Sequence, residues 1–374
     1  MRLSRGWLYG IGLAALVGAG WACLHRDATA DSKAKEVTGT AVLVLATAHD
    51  EHATTTEVRR VEVESDGVRS SVLATIPHPP GAVVRGDARG ERIVVVADDA
   101  LATDRDWGAT LYRVEAGWSG ARAVLGGVGH ASRPLVGDDG LVYVERGSSG
   151  PMPTDDQARA GHLRDDAISI AAVDDAGSAK SVYSATGYAL PLCGAVGNEL
   201  VVYRVRFGGA DLLAVDRRSG ASRLVTELPP YARDFTIDRS RVAVVFSNRD
   251  ATDVHRWVVD RVDLATGQTT ELHAENDSAP APFALASGGF AFTAPGRRGL
   301  AFDGGDPVAP LGAGFDATQA ESADGAWLLV AHVPMSGYDE TVALHRRTTR
   351  VIRLTSRDER IDAIGFVDGG SVVR

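Results

Sequence analysis

The chain has 374 residues, a formal net charge of −10, and a composition of 44% hydrophobic and 24% charged residues. This hydrophobic fraction is enough to build a packed core, so the composition excludes a chain that is disordered throughout. The acidic balance argues against a surface that binds nucleic acid phosphates or an anionic membrane, and we expect no nucleic acid partner.

The first thirty residues have the pattern of a bacterial export signal. Arg2 and Arg5 precede a mostly apolar stretch, residues 7–24, and a polar segment then ends in Ala, Thr and Ala at residues 28–30. A positive region, an apolar region and an A-x-A site predict a secretory signal peptide over residues 1–30. The alternative is an uncleaved membrane anchor, because the apolar stretch just reaches spanning length.

Two further features bear on export. Cys23 is the basis of a lipoprotein alternative, although residues 20–22 lack the aliphatic residue that such a processing site normally needs. Residues 31–39 are predicted to be a short linker. We therefore expect a periplasmic or cell-surface protein that contacts the membrane only through its N-terminal segment.

Basic residues that are nearly all Arg, with abundant Ala, Gly, Val and Asp, are associated with bacterial sequences of GC-rich codon usage.

From residue 40 onwards, one hairpin pattern recurs along the chain. An apolar residue is followed by an acid, by a short turn that usually ends in Gly, and by a polar run that closes on an apolar residue. The clearest copy is VDLATGQTTEL at residues 262–272. Gly adopts positive φ at the least cost, so each copy predicts a β-hairpin. The other six copies lie at residues 63–73, 114–125, 173–183, 215–225, 302–311 and 344–354.

A second hairpin lies between successive copies, and its return strand is the most apolar segment of its unit. Two hairpins make four strands, and four-stranded units of roughly 40 to 50 residues are typical of β-propeller blades. Near-continuous apolar runs fit strands that are covered on both faces. These return strands lie at residues 92–98, 140–146, 199–205, 241–247, 289–294 and 326–332.

The pattern predicts an all-β fold, a seven-bladed β-propeller of four-stranded antiparallel blades over residues 40–374, with eight blades as the alternative. The first strand, residues 40–48, has no hairpin partner before it, and the last hairpin, residues 361–373, has no repeat after it. We expect these two ends to share one blade and to close the ring. Residues 40–48 and 371–373 are expected to compete for one position in that blade, which leaves the blade number open.

The connections of such a fold divide between two faces. The loops inside both hairpins share one face and are short in this chain, whereas the other face carries the variable connections. The longest of these, residues 147–166, exceeds the usual loop length and is either a functional lid or a disordered insertion. Variable loops on a fixed scaffold are where binding residues concentrate, so we predict that this second face is the binding face.

Residues that begin the innermost strands should line the mouth of the central channel. A mixed ring of Arg, Asp, His and Tyr could bind a polar ligand or a peptide there, although polar residues also belong at a wet channel mouth without any ligand. Asp234 and Asp362 share this position in the pattern. The predicted ligand-binding residues are His78, His130, Arg133, Tyr188, Tyr231, Arg233, Asp316 and Arg360.

Motifs for metal, cofactor and catalytic chemistry are missing from the sequence. It contains no CxxC pair, P-loop, GxSxG or HExxH, and we expect no metal, no cofactor and no catalytic residue. The HDEH string at residues 49–52 is the closest local cluster and is interpreted as a solvated turn. Cys193, in an apolar segment, is interpreted as a buried small hydrophobe rather than a reactive thiol.

Several of these repeats resemble the WD40-like repeats of TolB-type propellers. In that family a Ser-Pro-Asp-Gly turn precedes the inner strand, and an Asp-x-x-x-Gly hairpin ends in an Arg-Leu-Thr-like strand. The turn-and-strand segments at residues 136–146 and 322–332 keep Asp-Gly without Ser-Pro, and residues 353–355 read Arg-Leu-Thr. No family binding residue carries over to this chain. The resemblance implies a periplasmic or surface propeller that binds partners.

The sequence therefore predicts an exported, non-enzymatic binding module of the bacterial cell envelope that recognises a protein or a glycan. One alternative is a carbohydrate-active enzyme, a lyase or hydrolase, whose acid and base groups would have to converge at the channel mouth. A second alternative is a structural piece of a larger assembly. The sequence leaves the ligand, the partner and the oligomeric state open.

Overall fold

The alternating and apolar runs of the sequence form antiparallel strands in the computed structural model, and its described residues contain one short helix. The predicted signal peptide or anchor and the predicted linker lie outside the described residues. The structure describes residues 40–63, 67–99, 101–102, 104, 106–115, 120–162, 164–187, 189–206, 209–229, 231–250, 252–276, 278–296, 299–303, 311–356, 358–368 and 371–373.

Strands and helix are numbered along the chain. The first half contains β1 Thr40–Ala48, β2 Thr55–Val63, β3 Val68–Pro77, β4 Val84–Arg89, β5 Arg92–Asp98, β6 Ala109–Val114, β7 Ala121–Val128, β8 Leu135–Val136, β9 Val142–Ser148, α1 Asp155–Arg159, β10 Asp166–Val173 and β11 Ala179–Gly187. The second half contains β12 Leu192–Val196, β13 Glu199–Arg206, β14 Gly209–Asp216, β15 Ser222–Leu228, β16 Arg233–Asp238, β17 Ala243–Arg249, β18 Arg256–Asp263, β19 Thr269–Asn276, β20 Phe283–Ala284, β21 Phe290–Thr293, β22 Leu300–Phe302, β23 Gly314–Glu321, β24 Trp327–Pro334, β25 Glu340–His345, β26 Val351–Arg353, β27 Glu359–Asp368 and β28 Ser371–Val373.

Strand pairing divides the chain into consecutive antiparallel meanders. The described strands form six sheets, and the largest, of eight strands, consists of β4 to β7 and β8 to β11 joined by the single pair Val128 and Arg146. Separating those two groups leaves seven units: unit 1 (β27 with β1 to β3), unit 2 (β4 to β7), unit 3 (β8 to β11), unit 4 (β12 to β15), unit 5 (β16 to β19), unit 6 (β20 to β22) and unit 7 (β23 to β26). This grouping favours seven blades over eight, and the blade number stays a prediction.

Closure of the ring by the two ends of the chain is confirmed. β1 pairs with β27 along its length, from Ala41 opposite Val367 to Ala48 opposite Glu359. The expectation that β1 and β28 compete for one position is wrong, because β28 pairs with the opposite edge of β27 and the sheet order is β28, β27, β1, β2, β3. Both strands can pair because β27 has two edges, one bonded to β1 and the other to β28.

The core is divided among the interfaces between units. The described residues contain seven hydrophobic clusters, and each one joins two neighbouring units around the ring. Strand β1 shows the pattern: Leu43 and Leu45 pack towards unit 2, whereas Val42 and Val44 pack towards unit 7. Successive side chains of a strand point to opposite faces, so an uninterrupted apolar run is required to fill both interfaces. No unit can bury both faces alone, and stability depends on its neighbours.

The recurrent acid and glycine of the hairpin pattern have separate physical roles. In unit 5, the carboxylate of Asp263 accepts hydrogen bonds from the backbone N–H groups of Ala265 and Thr266 and holds the turn. Gly267 has a φ of 72°, and a Cβ there would lie 2.2 Å from the carbonyl oxygen of Val225 in unit 4. The glycine therefore allows both the turn and the close approach of the preceding unit.

Six of the seven predicted hairpin copies are confirmed as paired strands: β2 with β3, β6 with β7, β10 with β11, β14 with β15, β18 with β19, and β25 with β26. The seventh, residues 302–311, lies for the most part outside the described residues.

Candidate binding face

The predicted binding face is built by the links between units and by the connection between the second and third strands of each unit. Alternate connections of an antiparallel meander leave at opposite ends, so these two kinds share one face, the long-loop face. It comprises residues 49–54, 78–83, 99–108, 129–134, 149–165, 188–191, 229–232, 250–255, 277–282, 294–299, 311–313, 335–339 and 354–358, as far as the structure describes them.

Contacts between different units hold these loops together. The ring centroids of His49 in unit 1 and Tyr338 in unit 7 are 5.1 Å apart. The hydroxyl of Ser149 in unit 3 donates to Asp104 in unit 2 over 2.6 Å. The backbone N–H of His130 donates to the carbonyl of Asp106 over 2.8 Å. The face is therefore a continuous surface of several units rather than a set of isolated loops.

The longest connection carries the helix α1. The hydroxyl of Thr154 accepts a hydrogen bond from the backbone N–H of Gln157, and the side-chain oxygen of Gln157 accepts from the backbone N–H of Thr154 over 2.8 Å. This reciprocal capping box satisfies two of the N–H groups that a helix leaves unpaired at its start. Asp155 and Asp156 in the first turn add a favourable interaction with the helix dipole.

The buried carboxylate of Asp166 anchors this connection at both ends. It accepts from the backbone N–H of Gly150 over 3.0 Å, from Nε of Arg164 over 2.5 Å and from the indole N–H of Trp107 over 3.0 Å. Arg164 also donates to Asp106, and the hydrogen bonds to these carboxylates raise the pKa of its guanidinium further. These bonds favour a structured loop over an unstructured insertion, and its role as a lid stays a prediction.

His78, the first of the predicted ligand-binding residues, is buried and bonded within the fold. Its Nδ1 lies 2.9 Å from the carbonyl oxygen of Pro79, which can only accept, so Nδ1 carries the proton. Nε2 then accepts from the hydroxyl of Thr56 over 2.9 Å, and Thr56 accepts in turn from Thr47. The chain of bonds uses both nitrogens of the imidazole.

His130 and Arg133 lie in the link between units 2 and 3. His130 is half-exposed, and its Nδ1 lies 2.9 Å from the carboxylate of Asp98. The hydrogen bond to Asp98 raises the pKa of His130, and burial opposes this effect. Arg133 is exposed. A charged imidazole beside Asp98 is the expected form in mildly acidic solution.

Asp316 lies in the interior, although the sequence pattern places it at the channel mouth. It is fully buried on β23 and accepts a hydrogen bond over 2.7 Å from the equally buried His332, which lies directly opposite on β24. Burial raises the pKa of the Asp316 carboxyl, while the bond to His332 opposes the shift. Sequence reasoning did not find this pair, because only the strand register places position 332 opposite position 316.

Tyr231, Arg233 and Arg360 lie at the surface. Arg233 pairs with Asp234 over 3.0 Å, and Arg360 pairs with Asp362 over 2.7 Å. Tyr231 is exposed, and its ring lies under the guanidinium of Arg249.

The predicted set is thus dispersed among different partners. His78, His130, Asp316 and Arg360 bond to Thr56, Asp98, His332 and Asp362, respectively. Tyr188 lies outside the described residues. The ligand-binding role of the set stays a prediction.

Exposed apolar side chains are the feature of this face that sequence reasoning missed. Six of the ten large hydrophobic residues that are exposed in the described chain lie on the long-loop face. The fraction exposed reaches 88% for Leu101 and 76% for Met152. A loop with an isolated apolar residue gives no periodic signal, so only the structure identifies them. The six residues are Leu101, Met152, Tyr231, Val254, Met335 and Tyr338.

A groove of about 1020 Å³ lies on the opposite face, between the hairpin turns of units 3 and 4. Its wall includes Arg217, which donates to Asp138 over 2.6 Å, and the exposed residues Lys180 and Arg218. The two carboxylates of residues 138 and 139 face Arg217 and largely neutralise it. The groove is therefore a junction between blades, remote from the predicted binding face.

The described part of the chain has no cluster of metal-ligating side chains. No three His, Cys, Asp or Glu side chains of this part of the chain are grouped so that they could hold a metal ion. In the HDEH string, His52 lies 3.6 Å from Glu51, and both are exposed. Cys193 packs against the core between units 4 and 5, and burial raises the pKa of its thiol.

The described chain has no helix that is long and apolar enough to span a membrane. Residues 1–30 lie outside this part, and their role as a signal or an anchor stays a prediction.

No family profile and no curated protein matches the sequence. Solved structures do match. A prolyl endopeptidase is 15% identical with a TM-score of 0.54, over 86% of this chain and 50% of that chain. A protein from Lactobacillus plantarum is 11% identical with a TM-score of 0.52, over 88% of this chain and all of that one. TolB from Acinetobacter baumannii is 10% identical with a TM-score of 0.49, over 87% of this chain and 66% of that chain.

At these identities the comparisons show the fold alone. The predicted β-propeller is confirmed at that level. TolB is among the matching structures, as the predicted likeness to TolB-type propellers requires. The chain spans about two thirds of the TolB chain and half of the endopeptidase, whose activity belongs to that enzyme.

Proposed function

We propose that this chain is a non-enzymatic binding module that recognises a protein partner through its long-loop face. The observation that carries the proposal is the set of exposed apolar side chains on that face. Exposed apolar side chains gathered on one face are typical of interaction surfaces, and Tyr and Met are enriched in the cores of protein interfaces. A rigid ring of blades that presents them in fixed positions reduces the entropy lost on binding.

The residue types favour a protein over a glycan. Leu101, Met152 and Met335 offer flexible aliphatic and thioether surface, which adapts to apolar side chains of a partner. Sugar rings instead require hydrogen-bonding groups that converge on one pocket. The groove of about 1020 Å³ lies on the other face.

The enzyme alternative requires acid and base groups that converge on one point. The predicted candidates instead bond to separate partners, as His78 does with Thr56 and Asp316 with His332. Buried groups that bond to each other within the fold support a structural role, which leaves binding as the function that the geometry favours.

The bacterial cell envelope is the proposed location. It rests on the signal-like pattern of residues 1–30. Intact-mass analysis of the protein from its native host would find the processed or membrane-bound chain, and an unprocessed soluble chain in the cytoplasm would contradict the proposal.

The proposed function can be tested by capture from an envelope extract of the source bacterium. The full chain is the bait, and the face variant carries Leu101→Ser, Met152→Ser, Met335→Ser and Tyr338→Ser. A matched control carries four equivalent changes on exposed apolar residues away from the face: Val68→Ser, Val72→Ser, Leu224→Ser and Val242→Ser.

We expect the full chain and the control to retain the same partner, identified by mass spectrometry, and the face variant to lose it. The affinity is then measured with the purified partner. Equal capture by the face variant would refute the proposal, and so would equal loss in the control. Binding to a glycan array without any protein partner would favour the glycan alternative.

A further inference from the structure

Unit 5 presents an arginine that is held by aromatic rings. The guanidinium carbon of Arg249 lies 5.5 Å from the ring centroid of Tyr231 and 5.4 Å from that of Trp257. Arg249 ends β17, and Trp257 lies directly opposite it near the start of β18. Tyr231 comes from the link between units 4 and 5 and is 55% exposed. The cluster is therefore part of the long-loop face.

The guanidinium of Arg249 has no anionic partner in the described part of the chain. Its Nε is buried and makes no hydrogen bond. Neighbouring arginines differ in this respect, because Arg233 pairs with Asp234 over 3.0 Å and Arg256 pairs with Asp250 over 2.8 Å. The carboxylates of Asp234 and Asp250 are thus engaged by other cations, and the guanidinium of Arg249 remains available to an external anion.

Aromatic contact fixes the plane of a guanidinium without neutralising its charge. A guanidinium held in this way can donate two parallel hydrogen bonds to a carboxylate, at little further cost in side-chain entropy. We propose that Arg249, Tyr231 and Trp257 form an anchor for an Asp or Glu side chain in a peptide segment of the protein partner. This inference rests on the proposed function, since it names the chemistry that the same face recognises.

The surroundings favour a carboxylate within a peptide. Val254, in the connection between Arg249 and Trp257, is 57% exposed, and Tyr231 is exposed on the same face, so both offer apolar surface to the residues that flank the acid. The net charge of −10 disfavours a dianion such as phosphate more strongly than a single carboxylate. An acidic residue next to an apolar residue is therefore the expected sequence in the partner.

The anchor can be tested with a phage-displayed library of random dodecapeptides selected on the full chain. Selected sequences are synthesised with a fluorescent label in matched pairs, with the acid or with the corresponding amide, and the Kd of each is measured by anisotropy. The variants are Arg249→Gln, Arg249→Lys and Tyr231→Ala. The control is Arg218→Gln, an exposed arginine in a turn on the opposite face. The face variant of the capture experiment is measured alongside.

We expect selection to enrich one Asp or Glu, and its replacement by the amide to weaken binding roughly 10- to 100-fold. In Arg249→Gln the difference between acid and amide peptides should vanish, which identifies the two groups as a pair. Tyr231→Ala, an exposed site where misfolding is not expected, should weaken the acid peptide selectively. Arg249→Lys should bind the acid peptide more tightly than Arg249→Gln does, but less tightly than the wild type. The control Arg218→Gln should bind the peptide with the same Kd as the wild type.

An undiminished preference for the acid in Arg249→Gln would overturn the inference, as would selection without an enriched acid. Binding lost in the face variant but unchanged in Arg249→Gln would leave the proposed function standing and remove the anchor. Binding unchanged in both would remove both proposals.

Discussion

Arg217 in unit 4 reaches back to the preceding blade and places its guanidinium 2.6 Å from the carboxylate of Asp138. The same guanidinium lies 3.3 Å from Asp139 and donates to the carbonyl of Gly197. Only 7% of the Arg217 side chain is exposed, so the hairpin turns of units 3 and 4 enclose it. This ion pair therefore joins unit 4 to unit 3.

The position that Arg217 occupies in the hairpin pattern recurs as a contact between blades. Its equivalent in unit 3 is Asp175, which accepts from Arg92 of unit 2 over 2.8 Å. In unit 7 it is Arg346, which donates to Ser287 of unit 6 over 3.2 Å. In unit 5 it is Leu264, which packs in the core shared with unit 4. At this one position of the repeat, an ion pair, a hydrogen bond or an apolar contact thus connects neighbouring units.

Arg217→Ala should lower the free energy of unfolding by about 1 to 2 kcal/mol at pH 7. The substitution leaves two carboxylates without their cation, but Asp138 is half-exposed and solvent screens its interaction. Chemical denaturation measures the change. Arg218→Ala, an exposed neighbour, is the control and should stay within about 0.5 kcal/mol of the wild type.

The effect of Arg217→Ala should also depend on pH. The hydrogen bond from Arg217 holds the pKa of Asp138 below its ordinary value of 3.8. A carboxyl whose pKa is lowered by folding stabilises the fold above its unfolded pKa, and this contribution is lost as the pH falls through the folded pKa. Unfolding at pH 7 and pH 3 should show a smaller difference between variant and wild type at pH 3. An equal difference in stability at pH 7 and pH 3 would contradict an electrostatic contribution from the Arg217–Asp138 pair.

Closure of the ring should make β27 essential to the whole fold. Phe366 of β27 is fully buried against units 1 and 7, and Phe366→Ala should cost about 3 to 5 kcal/mol through lost burial and the cavity left behind. Val72→Ala on the exposed outer strand β3 is the control. Deletion of residues 361–374 should abolish cooperative thermal unfolding, and a truncated chain that melts like the intact one would disprove closure.

Gly147, near the end of β9, lies in a site that has no space for even one added methyl group. A Cβ there would lie 2.7 Å from the indole ring of Trp107, which is itself fixed by its bond to Asp166. Gly147→Ala should therefore destabilise the protein by about 1 to 3 kcal/mol, as overpacked sites do. Gly126→Ala in β7 has open space around the new Cβ and should be close to neutral. Denaturation curves that coincide for the two variants would show that the Trp107 ring can move aside.

His130 should contribute to stability in a pH-dependent way. The bond to Asp98 raises its pKa above the ordinary 6.5. A histidine whose pKa is raised by folding stabilises the fold fully below its unfolded pKa, and the contribution disappears as the pH rises through the folded pKa. His130→Gln should be less stable than the wild type at pH 5.5, by less than about 1 kcal/mol because the group is half-exposed, and the two should converge near pH 9. A constant difference from pH 5.5 to pH 9 would show that the imidazolium makes no contribution.

The sequence alone determined the all-β repeat and its hairpins, and the unpaired strands at the two ends of the repeat indicated that these ends pair. The repeat and its hairpins follow from local rules, since glycine in a turn and apolar runs in strands depend on the chain near each residue. The run at residues 40–48 predicted a strand covered on both faces, and β1 fills two interfaces accordingly.

Tertiary structure alone decided which polar residues meet and which apolar residues remain exposed. The pairing of Asp316 with His332 follows from strand register, and that of Arg249 with Tyr231 and Trp257 from three separate elements. The exposure of Leu101 and Met335 depends on what the neighbouring units leave uncovered. Such contacts join residues that are distant in sequence, and a local pattern does not encode them. The binding face could therefore be predicted from the topology of the repeat, whereas the anchor formed by Arg249, Tyr231 and Trp257 could be identified only in the tertiary structure.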